Sequence, residues 1–256
     1  MNSLERTLIL KAGYDHGWEV VVEESTERVV LASALHRARA TVTNFPPSSF
    51  WLVTIIPPTL HRELSRVLPG WVLTDETFGA EDERDLGYLL NQCAQLARAL
   101  PDEPYRRFAK AVAEELASST ATTSATEVER LVRQRVGQNI YRESLMDYWG
   151  GACAVTGIGI PALLRASHAK PWAECSSDAE RLNVFNGFLL CAHLDALFDR
   201  HLMTFSESGD VIFAPAISST VRESLGLAGN LRLRRIAPEH GPFLQFHRLT
   251  FQRQIA

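Results

Sequence analysis

Runs of β-branched and aromatic residues separated by short polar turns open the chain: WEVVVEE at 18–24, VVLASA at 29–34 and FWLVTII at 50–56. That pattern predicts strands. The intervening SALHRARATVT suits either a helix or a further strand. From Asp82 to Ala117 the period changes to three and four, through Leu86, Leu89, Leu90, Cys93, Leu96, Ala97 and Leu100, which predicts a helix. Pro101 and Pro104 break it, and a second helix follows through Phe108, Val112 and Leu116. SSTATTSAT at 118–126 has no apolar period and consists of small residues, a linker composition. Thr126 is placed to cap a helix from Glu127 whose apolar face is Val128, Leu131, Val132, Val136 and Ile140, continuing through Tyr141, Leu145 and Tyr148. Gly150 and Gly151 should end it. The expected organisation is therefore a module at 1–118 of strands then helices, a linker at 119–126 and a second domain at 127–256.

The second domain holds two apolar phrases, CAVTGIGIPALLRASHAKPW and NGFLLCAHLDALFDR. The first reads as a turn and then a strand through Leu163 and Leu164 that brings His168 to its end, where Pro171 forbids a continued ladder. Asn186 and Gly187 form a turn dipeptide leading into a strand at Phe188 to Leu190, and a helix from about Ala192 to His201 should follow. On that helix Asp195 and Asp199 are four apart, so their Cβ atoms stand roughly 5–6 Å from each other. Two like charges so placed repel. A divalent cation is one candidate for compensation; pairing of Asp199 with Arg200 or Arg165 on a solvated face is another. His168 by itself is more often a structural or surface histidine than a base.

Composition narrows the class. The chain has 256 residues, 46% hydrophobic and 22% charged, enough apolar mass for one or two ordinary cores. No stretch reaches the length of a membrane span, and Glu5, Arg6 and Lys11 preclude an apolar signal segment at the start, which points to a cytoplasmic protein. Cys93, Cys153, Cys175 and Cys191 are far apart, a spacing that suits reduced thiols. No GxxxxGK phosphate loop occurs. A net charge of −4 gives no global attraction to nucleic acid, so binding there requires a local basic surface.

A histidine on a hairpin, an Asn opening the second strand and acidic groups on the next helix resemble the HNH endonucleases of the ββα-metal fold. The phrases RVGQNIYRESLMDYWGGACAVTG, RASHAKPW and NGFLLCAHLDALFDRHLMTF are similar to a bacterial HNH subfamily, over roughly residues 133 to 215. The resemblance implies an α+β protein: a C-terminal ββα-metal nuclease domain preceded by a helix, behind a separate N-terminal α/β or α+β recognition or regulatory module. It implies His168 as the general base that takes a proton from water, and Asn186 as the residue that orients His168 through a hydrogen bond. The family's metal positions fall on Asp195 and Asp199, and His193 is placed to reach the phosphate or the leaving group, or to supply a ligand if the helix starts later. At its ordinary pKa of about 6.5, His168 would be neutral enough without tuning. Oxygen ligands favour Mg²⁺, or Mn²⁺, over Zn²⁺. The implied reaction is hydrolysis of a phosphodiester that leaves 5′-phosphate ends.

Two positions depart from the family pattern. Ser167 stands where many members carry an Asp or His ligand. Cys153 with Thr156 and Cys191 with Leu194 stand where many carry paired zinc knuckles, so no structural zinc is expected and a core around Trp149, Trp172 and Phe198 should replace it. Arg142, Arg165, Lys170 and Arg200 are the expected phosphate contacts, and Arg130, Arg133, Arg135 and the tail arginines add basicity. Trp18, Phe45, Phe50, Trp51, Trp71 and Phe78 of the first module are core residues or, failing that, a stacking surface for a flipped base. The expectation is a metal-dependent HNH endonuclease acting on DNA, suited to restriction or defence, with homodimerisation suiting double-strand cleavage. The alternatives are a non-catalytic DNA-binding protein with a degenerate site, and a metal hydrolase acting on a small molecule.

Overall fold

A computed structural model describes residues 1–44, 50–118 and 125–255. By packing density the chain divides into two compact units, Met1–Arg98 and Ala99–Ala256. The sequence places the seam later, at 119–126. Residues 119–124 of that stretch lie outside the described residues, and the helix before it packs on the helix after it, so both belong to the second unit. The mixture of helix and sheet is the expected α+β class.

The first unit begins with α1 (Ser3–Asp15), which the strand pattern does not announce; Asn2 and Glu5 form a capping box at its start. Strands β1 (Val20–Glu24), β2 (Arg28–Ala32), β3 (Arg39–Asn44) and β4 (Trp51–Ile56) follow. The ambiguous SALHRARATVT thus resolves as an irregular turn at 33–38 that leads into β3. Next come α2 (Pro58–Val67), β5 (Val72–Thr74), β6 (Thr77–Ala80) and α3 (Glu83–Ala99). The six strands form one antiparallel sheet in the order β1-β2-β3-β4-β6-β5. Val29, Val42, Val53 and Phe78 are successive partners across four strands and all are fully buried, so register and burial agree along one face. Trp18, Trp51 and Phe78 are core, and Trp18 Nε1 donates to the Leu90 carbonyl of α3 at 2.9 Å. Phe45 lies outside the described residues.

In the second unit α4 (Asp102–Ser118) pairs with α5 (Ala125–Tyr148). The latter starts at Ala125, so Thr126 lies inside the helix and not at its cap. Val132, Val136, Ile140, Tyr141, Leu145 and Tyr148 are buried as expected, whereas Leu131 is 55% exposed. Gly150 and Gly151, both with positive φ, end the helix, and Gly151 N–H closes it onto the Met146 carbonyl at 2.7 Å. The hairpin β7 (Leu164–His168) and β8 (Gly187–Cys191) runs antiparallel from Leu164↔Cys191 to His168↔Gly187. Between its strands lies α6 (Asp178–Arg181), and after it come α7 (Ala192–Asp199), β9 (Met203–Phe205), β10 (Val211–Phe213), α8 (Ser219–Ser224) and α9 (Gly241–Ile255). All of β8 is buried. Phe188 makes edge or tilted contacts with Phe198 and Phe205 at 5.7 and 4.9 Å, and His240 stacks on it at 5.3 Å. Trp149 and Phe198 are buried in this core, and Trp172 packs apart from them, over Gly137 of α5. The four cysteines are free and buried. Among the described residues no helix is long and apolar enough to cross a membrane.

Gly187 pairs with His168 across the hairpin, and a Cβ there would collide with the Ser167 carbonyl and the Tyr141 hydroxyl. Gly187→Ala should therefore cost about 2 kcal/mol or more, read as a lower urea midpoint at unchanged slope. Gly241→Ala, where a Cβ meets open space, should leave the midpoint in place.

Candidate active site

His168 ends β7 opposite Gly187, at the mouth of the hairpin. Tyr141 of α5 stacks on its ring at 3.8 Å and Trp172 meets its edge at 5.9 Å. The His168 Nε2 atom lies 2.9 Å from the Arg181 carbonyl oxygen. A carbonyl only accepts, so Nε2 carries the proton and Nδ1 keeps the lone pair. Burial pushes the ring's pKa down to about 4, a large shift where the sequence predicts none. The cause is loss of hydration around the charged form.

Asn186 does not orient His168 through a direct bond. Its fully buried side chain accepts from Lys170 N–H at 2.8 Å and donates to the carbonyls of Lys170 and Glu180 at 3.2 and 3.3 Å. It thereby pins both ends of the 170–180 loop. Arg181 completes the clamp: its guanidinium donates to the carbonyls of Trp172 and Cys175 and pairs with Asp178. The backbone that presents the carbonyl to His168 is thus tied down on several sides. Tyr141 adds a hydroxyl donated to the Asn186 carbonyl at 3.0 Å. Sequence reasoning missed Tyr141 and Arg181, because a ring stacked from another helix and a loop held through its carbonyls are contacts that no residue pattern marks.

Asp195 and Asp199 both lie on α7, as expected. Asp195 accepts a hydrogen bond from the Ser167 hydroxyl. Asp199 remains exposed as a residue, yet its carboxyl helps line a pocket of about 300 Å³ that also contains His168, Trp172, His201 and His247. Partial burial, and then the negative charge of Asp195, push the Asp199 pKa up to about 6, against a smaller opposite effect of Arg200. His193 sits in the first turn of α7, half-buried, and is absent from the pocket lining.

The expected phosphate contacts separate into two kinds. Arg142 donates to the carbonyls of Leu164 and Pro161, and Lys170 pairs with Glu180 at 2.7 Å, so both have structural employment. Arg165 and Arg200 are exposed and, among the described residues, bond only nearby backbone carbonyls. Arg133 and Arg135 are paired with acidic residues.

His201 is a further histidine of the pocket, and no pattern in the sequence marks it. It is the only non-glycine with positive φ among the described residues, at 52°. Such a conformation costs an ordinary side chain roughly 1–2 kcal/mol.

Among the described residues no group of three or more His, Cys, Asp or Glu converges as a metal cage. The oxygens present do fit a hard divalent cation. Asp195 and Asp199 offer two carboxylates whose mutual repulsion a cation would relieve, and Ser167 offers a hydroxyl oxygen beside them. A hard cation held by one or two carboxylates completes its shell with water and phosphate oxygens.

Two antiparallel strands, a histidine at the end of the first and a following helix that bears two carboxylates give the segment a ββα order. Residues 153–206 match the family described as HNH endonuclease. The match is confined to this segment, where it supports nuclease activity of the HNH type. No curated protein matches the chain.

The histidine shifts have a sign that acid stability should reveal. His168 and His247 are each pushed down to about 4, chiefly by burial, and His36 in the first unit shifts likewise. Unfolded histidines titrate near 6.5, so between pH 6.5 and 4 the unfolded chain binds more protons. The stability these rings contribute is complete above pH 6.5 and drains as the pH falls toward 4. Asp199 acts in the opposite sense from about pH 4 to 6, weakly because it is exposed. The thermal midpoint should therefore be lower at pH 5 than at pH 7; an equal or higher midpoint at pH 5 would contradict the assignment.

Proposed function

We propose that the protein is a metal-dependent endonuclease that hydrolyses DNA phosphodiester bonds with His168 as general base. The observation that carries this reading is the His168 ring, held in one tautomer by the Arg181 carbonyl within a segment of the HNH family. Nδ1 takes a proton from the water that attacks phosphorus. The phosphate anion of bound DNA, placed beside the desolvated ring, raises its affinity for that proton. Tyr141 and the Arg181 clamp keep the ring from rotating as charge develops. Asp195 and Asp199 would hold the divalent cation, Mg²⁺ or Mn²⁺, which when bound neutralises the scissile phosphate and the departing 3′ oxygen. Arg165 on β7 and Arg200 at the end of α7, both exposed, would steer the backbone of the strand. His193 stands at the start of α7 as a contact to the leaving side. Asn186 acts as a positioning residue through the loop.

The first unit would choose the target or restrain the nuclease, in a cytoplasmic enzyme of restriction or defence, and a homodimer would cut both strands. A second reading rests on one observation, the Ser167 hydroxyl already spent on Asp195. It makes the chain a DNA-binding protein whose degenerate site no longer cleaves.

Nicking of supercoiled plasmid separates the two. Methylated and unmethylated DNA are incubated with Mg²⁺, Mn²⁺ or EDTA and with wild type, His168→Ala or Asp199→Ala. Cleavage should require metal, leave 5′-phosphate ends and fall by about 10²-fold or more in His168→Ala. Folded wild type that binds the plasmid but does not nick it with either metal would establish the second reading.

A further inference from the structure

The backbone at His201 is arranged for glycine. Leu202 N–H bonds the Leu197 carbonyl at 2.8 Å and His201 N–H the Phe198 carbonyl at 2.9 Å, the closure that ends a helix through a left-handed residue. Glycine would occupy that position without strain, and strained residues gather where function holds them.

The side chain that bears this strain is fixed from below. Phe198 and His247 stack at 3.8 Å with an interplanar angle of 2°, and His201 lies on His247 at 4.5 Å and 17°. Both nitrogens of His247 are engaged: Nε2 donates to the Phe198 carbonyl at 3.0 Å, and Nδ1 lies 2.9 Å from the Thr204 hydroxyl. His247 is thus a platform with no hydrogen bond to spare. His201 differs. Neither of its ring nitrogens has a hydrogen-bond partner among the described residues, although the side chain is half-buried and lines the pocket it shares with His168 and Asp199.

We propose that His201 is a substrate-contact residue whose ring N–H donates to a non-bridging oxygen of the DNA phosphate drawn into the His168 pocket. This rests on the nuclease reading for the identity of the ligand. In either protonation state an imidazole carries at least one N–H. The Phe198–His247–His201 stack fixes the ring plane, so little rotational freedom is lost when the phosphate arrives. A phosphate suits the pocket better than a free carboxylate, because Asp199 repels an anion that does not bring a cation with it.

The test compares His201→Gly, which relieves the backbone, His201→Phe, which keeps a stacking ring without a donor, and His201→Asn, which tolerates positive φ and keeps an N–H. Binding of a fluorescent DNA duplex is measured by anisotropy at fixed salt with Mg²⁺ present, each variant in a His168→Ala background so that the duplex stays intact. Plasmid nicking is measured with His168 restored. His201→Phe and His201→Gly should bind about tenfold more weakly, the loss expected for one hydrogen bond to a charged group, and should nick more slowly. His201→Asn should regain most of the affinity. The melting midpoint of His201→Gly should match or exceed that of the parent, which separates loss of contact from loss of fold. Parent-like binding by His201→Phe would overturn the proposal, as would a parent that does not bind DNA. If the wild type binds but never nicks, while Phe and Gly still weaken binding, the nuclease reading fails and the phosphate contact stands.

Discussion

A single carbonyl oxygen, that of Arg181, decides which nitrogen of His168 holds the proton. Much of the chain between the hairpin strands serves to keep that oxygen in place. The Arg181 guanidinium binds three points of its own loop, Asn186 ties the loop's two ends, and Lys170 pairs with Glu180 across it. Trp172 anchors the same loop against α5, over a glycine that leaves room for its ring. Remove the clamp and the histidine would still be present, but its tautomer and orientation would no longer be specified. A general base needs geometry before it needs a suitable pKa.

The elements with strong periodicity were legible in the sequence. Strands β2 and β4, the helices on either side of Pro101, the long α5 and the ββα order around His168 all follow from runs at two, or at three and four, closed by glycine or proline. Helix α1 was not, because its apolar residues are spread around the helix, with Leu4 and Tyr14 exposed and Ile9 buried, and its start is signalled by a capping box of polar atoms. Leu131 is misplaced by the same pattern: α5 has partners on only part of its circumference, so an apolar residue at a correct interval still faces solvent. The seam between the units lies one helix earlier than the small-residue stretch suggests, since α4 packs on α5 and so joins the second unit.

At the site, residue types were readable and interactions were not. His168, Asp195 and Asp199 stand where spacing puts them. Asn186 was expected to touch the histidine and instead holds backbone, because a buried amide surrounded by loop carbonyls and N–H groups satisfies them first. Arg142 and Lys170 look like phosphate ligands in a sequence, but one satisfies backbone carbonyls and the other an acidic side chain. Only the fold tells a basic residue that holds the protein together from one left for a ligand.

Helix α7 gathers several local penalties within ten residues. Two carboxylates lie one turn apart, and the second sits at the helix C-terminus, where the helix dipole disfavours negative charge. The residue that ends the helix is a histidine in a conformation suited to glycine. Each lowers the stability of an isolated helix, and the buried face of Leu194, Leu197 and Phe198 packed on the aromatic core offsets them. A sequence selected for stability alone would avoid all three. Local rules broken together on one short element, beside the pocket that holds His168, are what the proposed phosphate and cation would offset. Both carboxylates and the histidine would gain from the same visitor, a phosphate accompanied by its cation, which meets the negative charge and the unused N–H at once.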